Sequence, residues 1–199
     1  SCITQYRVTW LSGVPTHFSI LVNLPVDKNE FNYSSLKFVR SASAPLPPTL
    51  HMAFEEYYKV PLVNTLGISE MSGQVFSNPR NLSKRKMGTI GQPIINRAKV
   101  VNLKNDELGP GVEGELVVTG ENLMIGYFND PMSTQKAVRG GWLHTGDIGY
   151  YDEDDFYYIT GRKKDIVIIG GQNVSLVEVD NTLYGAKDVV KACSICAVN

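Results

Sequence analysis

A carboxylate at Asp147 and a guanidinium at Arg162 flank a short hairpin pattern in the stretch GGWLHTGDIGYYDEDDFYYITGRKKDIVIIGGQNVSLVEV, residues 140–179. A carboxylate can accept from two adjacent hydroxyls, and arginine offers a planar donor fork to phosphate or ribose oxygens. Aromatic and β-branched residues surround the DEDD run at 152–155, so residues 148–160 read as strand, turn, strand. Thr145-Gly146-Asp147 reads as a turn ahead of that hairpin, and Arg162-Lys163-Lys164-Asp165 and the pair Gly170-Gly171 come after it. Taken singly, a Thr-Gly-Asp turn is common and a basic cluster is usually solvated. Taken together, the pairing suits a nucleotide.

The elements that must carry these groups fall into three parts. Residues 36–40 read as a strand, a helix starts at Pro47-Pro48 with Leu50, Phe54, Tyr57 and Tyr58 on one face, and residues 61–65 form the next strand. Strand, helix, strand over this length predicts a right-handed βαβ unit with parallel pairing. Its ligand side lies outside the strand carboxyl ends, where the loops Ser41-Ala42-Ser43-Ala44-Pro45 and Leu66-Gly67-Ile68-Ser69-Glu70 fall side by side. A strand at 6–11 and a helix at 16–24 precede it, with a polar loop at 25–35. From Gly88 onward the period becomes two, with strands at 98–103, 114–119, 142–144, 148–151 and 156–160, as in a small antiparallel barrel or twisted sheet. Residues 131–137 fit a short helix. A strand at 165–169, a helix at 175–184 and a final strand at 188–198 open an α+β unit. The expected fold class is α/β plus β: residues 1–87 the end of a parallel α/β portion, 88–161 a β subdomain, and 162–199 a hinge and an incomplete small domain.

The chain has 199 residues, a net charge of −1 and 43% hydrophobic residues, enough for a sizeable core and without a global field favouring nucleic acid or membrane. The basic run Lys84-Arg85-Lys86 reads as a solvated loop. Cys2, Cys193 and Cys196 make no disulfide framework. Cys193 and Cys196 have redox or zinc spacing but no second ligand pair, and buried free thiols suit their apolar run better. No signal peptide and no transmembrane-length run is present, so a cytoplasmic setting is expected. Both ends read as cut from a longer polypeptide. His17, His51 and His144 form no catalytic group, and His51 is expected to be exposed.

The composite pattern of residues 140–179 resembles the adenylate-forming enzymes: acyl-CoA synthetases, aryl-CoA ligases, luciferases and peptide-synthetase adenylation domains. The family pattern is W-x-x-T-G-D, then G-R-x-K-D, then G-x-x-V-x-x-x-E-V-E. Upstream, Arg40-Ser41-Ala42-Ser43-Ala44-Pro45-Leu46 resembles S-G-A-A-P-L, Leu66-Gly67-Ile68-Ser69-Glu70 resembles Y-G-x-T-E with Leu66 in place of the aromatic, and Lys86-Met87-Gly88-Thr89-Ile90-Gly91 resembles K-P-G-S-V-G. The family's phosphate loop and its C-terminal lysine are not in this sequence.

The resemblance implies activation of a small-molecule carboxylic acid with ATP, leaving AMP on the acyl group, with Mg2+ and CoA as cofactors. Ala42, Ser43, Ala44, Leu66, Gly67, Ile68, Ser69, Asp147, Ile159 and Arg162 would bind the nucleotide. Ser69 would contact the α-phosphate, and Glu70 would help hold Mg2+ as a hard oxygen ligand. Ala42, Ser43, Gly67, Gly73 and Gln74 would line part of the acyl pocket. Lys164 would be the hinge to the small domain, Gly170 and Gly171 would line the pantetheine tunnel, and Glu178 stands at the acidic position of E-V-E. The alternatives are transfer to a carrier-protein pantetheine, or a nucleotide- or partner-binding fragment without catalysis.

Overall fold

The computed structural model describes residues 2–24, 32–169, 172–175, 179, 182 and 183. Gly170, Gly171, Glu178, Cys193, Cys196 and most of the expected elements at 175–184 and 188–198 lie outside the described residues.

The chain opens with a helical turn, α1 (Cys2–Tyr6), where a strand was expected from residue 6; strand β1 begins at Trp10 and runs Trp10–Gly13. Arg7 adopts a positive φ of 49°, which ends the helix and turns the chain into the sheet. Helix α2 (Pro15–Asn23) follows with Pro15 at its first turn, where the missing N–H costs nothing.

Strand β2 (Phe38–Ser41), helix α3 (Pro48–Tyr58) and strand β3 (Leu62–Ile68) make the expected βαβ unit. β1, β2 and β3 pair in parallel, with Ser41 opposite Gly13 on one side and Asn64 on the other. Phe18 of α2 and Phe54 of α3 meet edge-on over Val39 and Leu62, forming one core cluster. Fully burying side chains of this size contributes about 1.5–3 kcal/mol each.

β3 does not end in a loop at Leu66 as expected. It continues through Ile68 because β4 (Gly73–Ser77) folds back and pairs with it antiparallel, Gly67 opposite Gln74 and Ile68 opposite Gly73. The connection is a single 3-10 turn, Ser69–Met71, closed by Ser72 in a left-handed conformation. β5 (Gln92–Pro93) extends this sheet beyond β4.

The second sheet is antiparallel, in the order β10 (Tyr157–Arg162), β9 (Trp142–Tyr151), β7 (Gly114–Thr119), β6 (Arg97–Val101), with β8 (Val138–Arg139) also against β9. Residues 142–144 and 148–151, expected as two strands, are one strand. Helix α4 (Pro131–Ala137) stands where it was expected; Asp130 caps it by accepting from the Ser133 N–H. Met71, Val75 and Phe76 of the first sheet pack on Val100, Leu116, Val118, Leu143 and Tyr157 of the second. One apolar cluster therefore fixes the two sheets against each other, with Leu66, Ile68 and Ile159 at its margin. Strands β11 (Ile166–Ile169) and β12 (Gln172–Ser175) pair antiparallel beyond Arg162.

His51, expected to be exposed, is 1% exposed. Its Nε2 lies 3.2 Å from Glu55 Oε1, one helical turn on. The same carboxylate accepts from the Leu62 N–H at 2.6 Å and faces Arg85 Nη2 at 2.8 Å. The run at 84–86 is thus no free solvated loop: Arg85 is buried against Glu55, and Lys86 Nζ bridges Asp152 and Asp154 at 2.6 and 2.7 Å. Both contacts tie the segment before Gly88 to α3 and to the hairpin tip. Thr89, fully buried, completes the anchor: Asn64 and Asn78 both donate to its carbonyl, and its hydroxyl accepts from the Gly91 N–H.

Candidate active site

Asp147 is 5% exposed and accepts from Arg162 Nε at 2.8 Å. Two irregularities of the second sheet create this contact. On β9, residues 145–147 face Leu116 alone, because His144 pairs with Val117 and Ile148 with Glu115. Thr145-Gly146-Asp147 is therefore a bulge within a strand and not a turn between strands. Gly146 takes a φ of +73°, a conformation L side chains avoid, which explains why glycine stands there. Thr145 Oγ1 donates to the Leu116 carbonyl and accepts from the Asp147 N–H, so the bulge holds its own shape.

On β10 the register slips by one residue at Thr160: Ile159 pairs with Gly149, but Gly161 pairs with Ile148 and Arg162 with Asp147. Continued without the slip, the ladder would bring Gly161 opposite Asp147. Gly149 makes the close approach of β9 and β10 possible, since a Cβ there would lie 2.0 Å from the Tyr158 carbonyl oxygen.

Burial pushes the Asp147 carboxyl up from its ordinary range, the Arg162 charge and hydrogen bond and the Thr145 hydroxyl pull it down, and burial prevails. Arg162, with a side chain 52% exposed, stays in contact with solvent. The pair is thus a buried acceptor joined to an accessible cation. Next to it, the Lys163 N–H donates to the Gly146 carbonyl at 2.8 Å, and Lys163 Nζ lies 3.4 Å from Glu115 Oε2. Glu115 also meets His144 Nδ1 at 3.1 Å. Burial raises the Glu115 carboxyl, but His144 and Lys163 outweigh it and hold the group low. Lys164 is exposed in the turn between β10 and β11.

The upstream residues gather at the carboxyl ends of β2 and β3. Ala42 is buried and its N–H donates to the Gly13 carbonyl; Ser43, with a φ of +70°, and Ala44 are exposed beside it. The Gly67 position approaches the Gly73 backbone, a Cβ there lying 3.1 Å from the Gly73 oxygen, so Gly67, Gly73 and Gln74 form one surface. Ser69 is exposed and Glu70 half-buried on the 3-10 turn. The apolar cluster joins Met71, next to Glu70, with Leu143 on the strand that carries Asp147, and among the described residues no hydrogen bond links the two carboxylates.

Glu70 Oε1 accepts from the Tyr127 hydroxyl at 2.6 Å. Among the described residues no group of three or more His, Cys, Asp or Glu side chains gathers to hold a metal. A single carboxylate beside a hydroxyl suits Mg2+, which takes one or two carboxylates and completes its shell with phosphates and water. Tyr127 and Glu115 are neighbours of this region that the sequence reading passed over, while His144 and Lys163 were named there without a binding role. The exposed Gly126-Tyr127-Phe128 run ahead of the Asp130 cap was the available signal for Tyr127.

A family model described as AMP-binding enzyme matches residues 1–128. The sulfoacetate–CoA ligase of Cupriavidus necator is 39% identical over 96% of this chain and 37% of that protein. The long-chain-fatty-acid–CoA ligase of Bacillus subtilis is 39% identical over 92% of this chain and 32% of that protein. The structure of o-succinylbenzoate coenzyme A synthetase from Bacillus subtilis, in complex with ATP and magnesium ion, superposes with a TM-score of 0.81 and 28% identity, over 92% of this chain and 38% of that one. The chain spans between 32% and 38% of the length of these relatives. Among the described residues no helix is long and apolar enough to cross a membrane.

Proposed function

Because the chain belongs to the AMP-binding enzyme family, we propose that the protein carrying it is an acid–thiol ligase. It activates a carboxylic acid with ATP to an acyl-adenylate, releasing pyrophosphate, and passes the acyl group to the thiol of CoA. The observation that carries this reading is the Asp147–Arg162 pair, an acceptor held in the core with an exposed guanidinium at 2.8 Å. The ribose hydroxyls would donate to Asp147, while Arg162 would donate to ribose or phosphate oxygens. Ile159 would offer an apolar edge to the adenine, and Leu66 to Ile68 the adjoining backbone.

On the acyl side, Ala42, Ser43, Gly67, Gly73 and Gln74 would present backbone and, apart from Gln74, small side chains, which leave room for the acid. Ser69 would donate to the α-phosphate and Glu70 would hold Mg2+, which supplies charge neutralisation to the phosphates when bound. The protein groups act by orientation and by meeting charge where it develops. Lys164, exposed between β10 and β11, would be the pivot that carries Gly170 and Gly171 toward the acyl-adenylate for thioester formation. The division at 87/88 and 161/162 is part of the same proposal. The named relatives act on acids as different as sulfoacetate and long-chain fatty acids, so the reading stops at the carboxylic acid class.

The test is calorimetric titration of the whole protein with a non-hydrolysable acyl-adenylate, beside Asp147→Ala. Tight binding that the substitution abolishes supports the proposal. Equal binding by both would remove Asp147 from the site and the proposal with it.

A further inference from the structure

The segment at 120–130 grips the Ser69–Met71 turn from outside the sheet. The Met124 N–H donates to the Glu70 carbonyl at 2.8 Å, Ser72 Oγ donates to the Asn122 carbonyl at 3.1 Å, and the Asn122 side-chain amide donates to the Met71 carbonyl. The backbone of the turn is therefore already held without Tyr127. What Tyr127 adds is one bond to the carboxylate itself, from its hydroxyl to Oε1. Oε2 has no hydrogen-bond partner among the described residues.

Tyr127 is itself fixed from behind. Its N–H donates to Thr134 Oγ1 at 2.8 Å, and the Thr134 hydroxyl donates to the Asp130 carbonyl at 2.9 Å. Asp130 caps α4 and returns its own N–H to the Tyr127 carbonyl at 3.2 Å. Gly126 permits this packing, since a Cβ there would come within 3.0 Å of the Thr134 side chain.

We propose that Tyr127 is a positioning residue for Glu70: its hydroxyl selects one carboxylate rotamer, occupying Oε1 and leaving Oε2 as the oxygen available to a hard divalent cation. The inference rests on the reading of Glu70 as the Mg2+ ligand. A long side chain that binds through one oxygen must otherwise lose its rotamer freedom at the moment of binding. Outer hydrogen bonds to metal-ligating carboxylates typically change metal affinity by about 10–100-fold when removed.

The experiment measures ATP binding to the whole protein by calorimetry across a series of free Mg2+ concentrations, with no turnover required. Tyr127→Phe keeps the ring and removes only the hydroxyl. The expected result is an Mg2+ half-saturation raised about tenfold, with ATP affinity in the absence of metal unchanged. Glu70→Gln is run beside it and should raise half-saturation at least as far, with Tyr127→Phe adding nothing in that background. If Glu70→Gln shifts the Mg2+ dependence and Tyr127→Phe does not, the positioning role is overturned while the metal reading stands. If Glu70→Gln leaves the Mg2+ dependence untouched, the metal reading fails and takes the inference with it. A Tyr127→Phe loss equal with and without metal marks a purely structural tie, and also overturns it.

Discussion

Arg162 stands opposite Asp147 because Thr160 is an extra residue in β10, and its Nε then reaches Asp147 Oδ1 at 2.8 Å. The buried carboxylate keeps one oxygen committed to a cation that itself faces solvent. Such an arrangement is preorganised for a ligand with vicinal hydroxyls, since the acceptor does not have to be desolvated when the ligand arrives.

Asp147→Asn separates binding from stability. Burial raises the folded-state pKa of Asp147. A raised acid binds its proton more tightly in the folded state, so its contribution to stability falls as pH rises from the unfolded value through the folded one. Once ionised, the carboxylate is a net cost to the fold, and Asn removes that cost. We expect Asp147→Asn to melt no lower than the parent at pH 7, while acyl-adenylate affinity drops about 10–100-fold, the range for a lost hydrogen bond to a charged group. A calorimetric titration and a thermal melt on the same samples check both halves; a clearly lower melting point sinks the argument about burial.

Gly149→Ala should disturb the same site through the backbone. The added Cβ would meet the Tyr158 carbonyl at 2.0 Å, against strand backbone with no flexible side chain to move away. β9 and β10 must then part, and Asp147 loses Arg162. Overpacking of this kind costs about 1–3 kcal/mol, read as a lower urea midpoint with weakened nucleotide binding. An unchanged midpoint would show that the two strands separate freely.

The Glu55 carboxylate sets the acid limit of the α/β portion. Burial raises it, but His51, the Leu62 N–H and Arg85 together bring it below its ordinary value. A depressed folded pKa contributes stability above the unfolded value near 4.5, and this is lost as pH falls through the folded one. Glu55→Gln should flatten that part of the pH–stability curve. Arg85→Met, which removes one of the three partners of the carboxylate, should cost about 1.5–3 kcal/mol at pH 7. Urea denaturation from pH 7 down to about pH 3 measures both, the window in which a depressed carboxylate titrates; parallel curves for parent and Glu55→Gln would exclude the assignment.

Lys164→Pro tests the hinge. Proline fixes its own φ and restricts the residue before it, so rotation about this turn is blocked, at the cost of strain in the Arg162–Asp165 bond that closes it. In the whole protein, acyl-CoA formation should fall much further than ATP–pyrophosphate exchange. Equal loss in both half-reactions would move the pivot elsewhere.

Much of this was legible in residue types and spacing. Pro131 at a first turn behind the Asp130 cap fixes the start of α4 where it was expected, and the βαβ unit follows from apolar spacing between prolines. The failures share a physical origin: local composition does not report the partner. Thr-Gly-Asp has turn composition, yet a positive-φ glycine serves a bulge equally well once β7 lies alongside. Gly67 and Ser69 suggested a loop because β4, whose Gly73 and Gln74 weaken its strand pattern, was not recognised as the partner. His51 looked like a surface residue because Glu55 and Arg85, which make its burial tolerable, come from the next helical turn and from a distant loop. Tyr127 escaped for the same reason: its role depends on Glu70, 57 positions away.

The two bulges also set rules for insertion and deletion. Between His144 and Ile148, β9 takes four steps while β7 takes two. The surplus is even, so inward and outward positions resume in phase beyond it. Gaining or losing a pair of residues there would reshape the ligand edge and leave Ile148 to Tyr151 facing as they do. A single gain or loss would turn that whole run over, core side to solvent. At Thr160 the surplus is one, so deleting that single residue would make the ladder regular and leave Arg162 opposite Asp147, whereas a second residue inserted there and paired in the ladder would bring Gly161 opposite it. A change of one residue thus has different meanings on neighbouring strands, and chain length, as much as residue identity, encodes what this edge can hold.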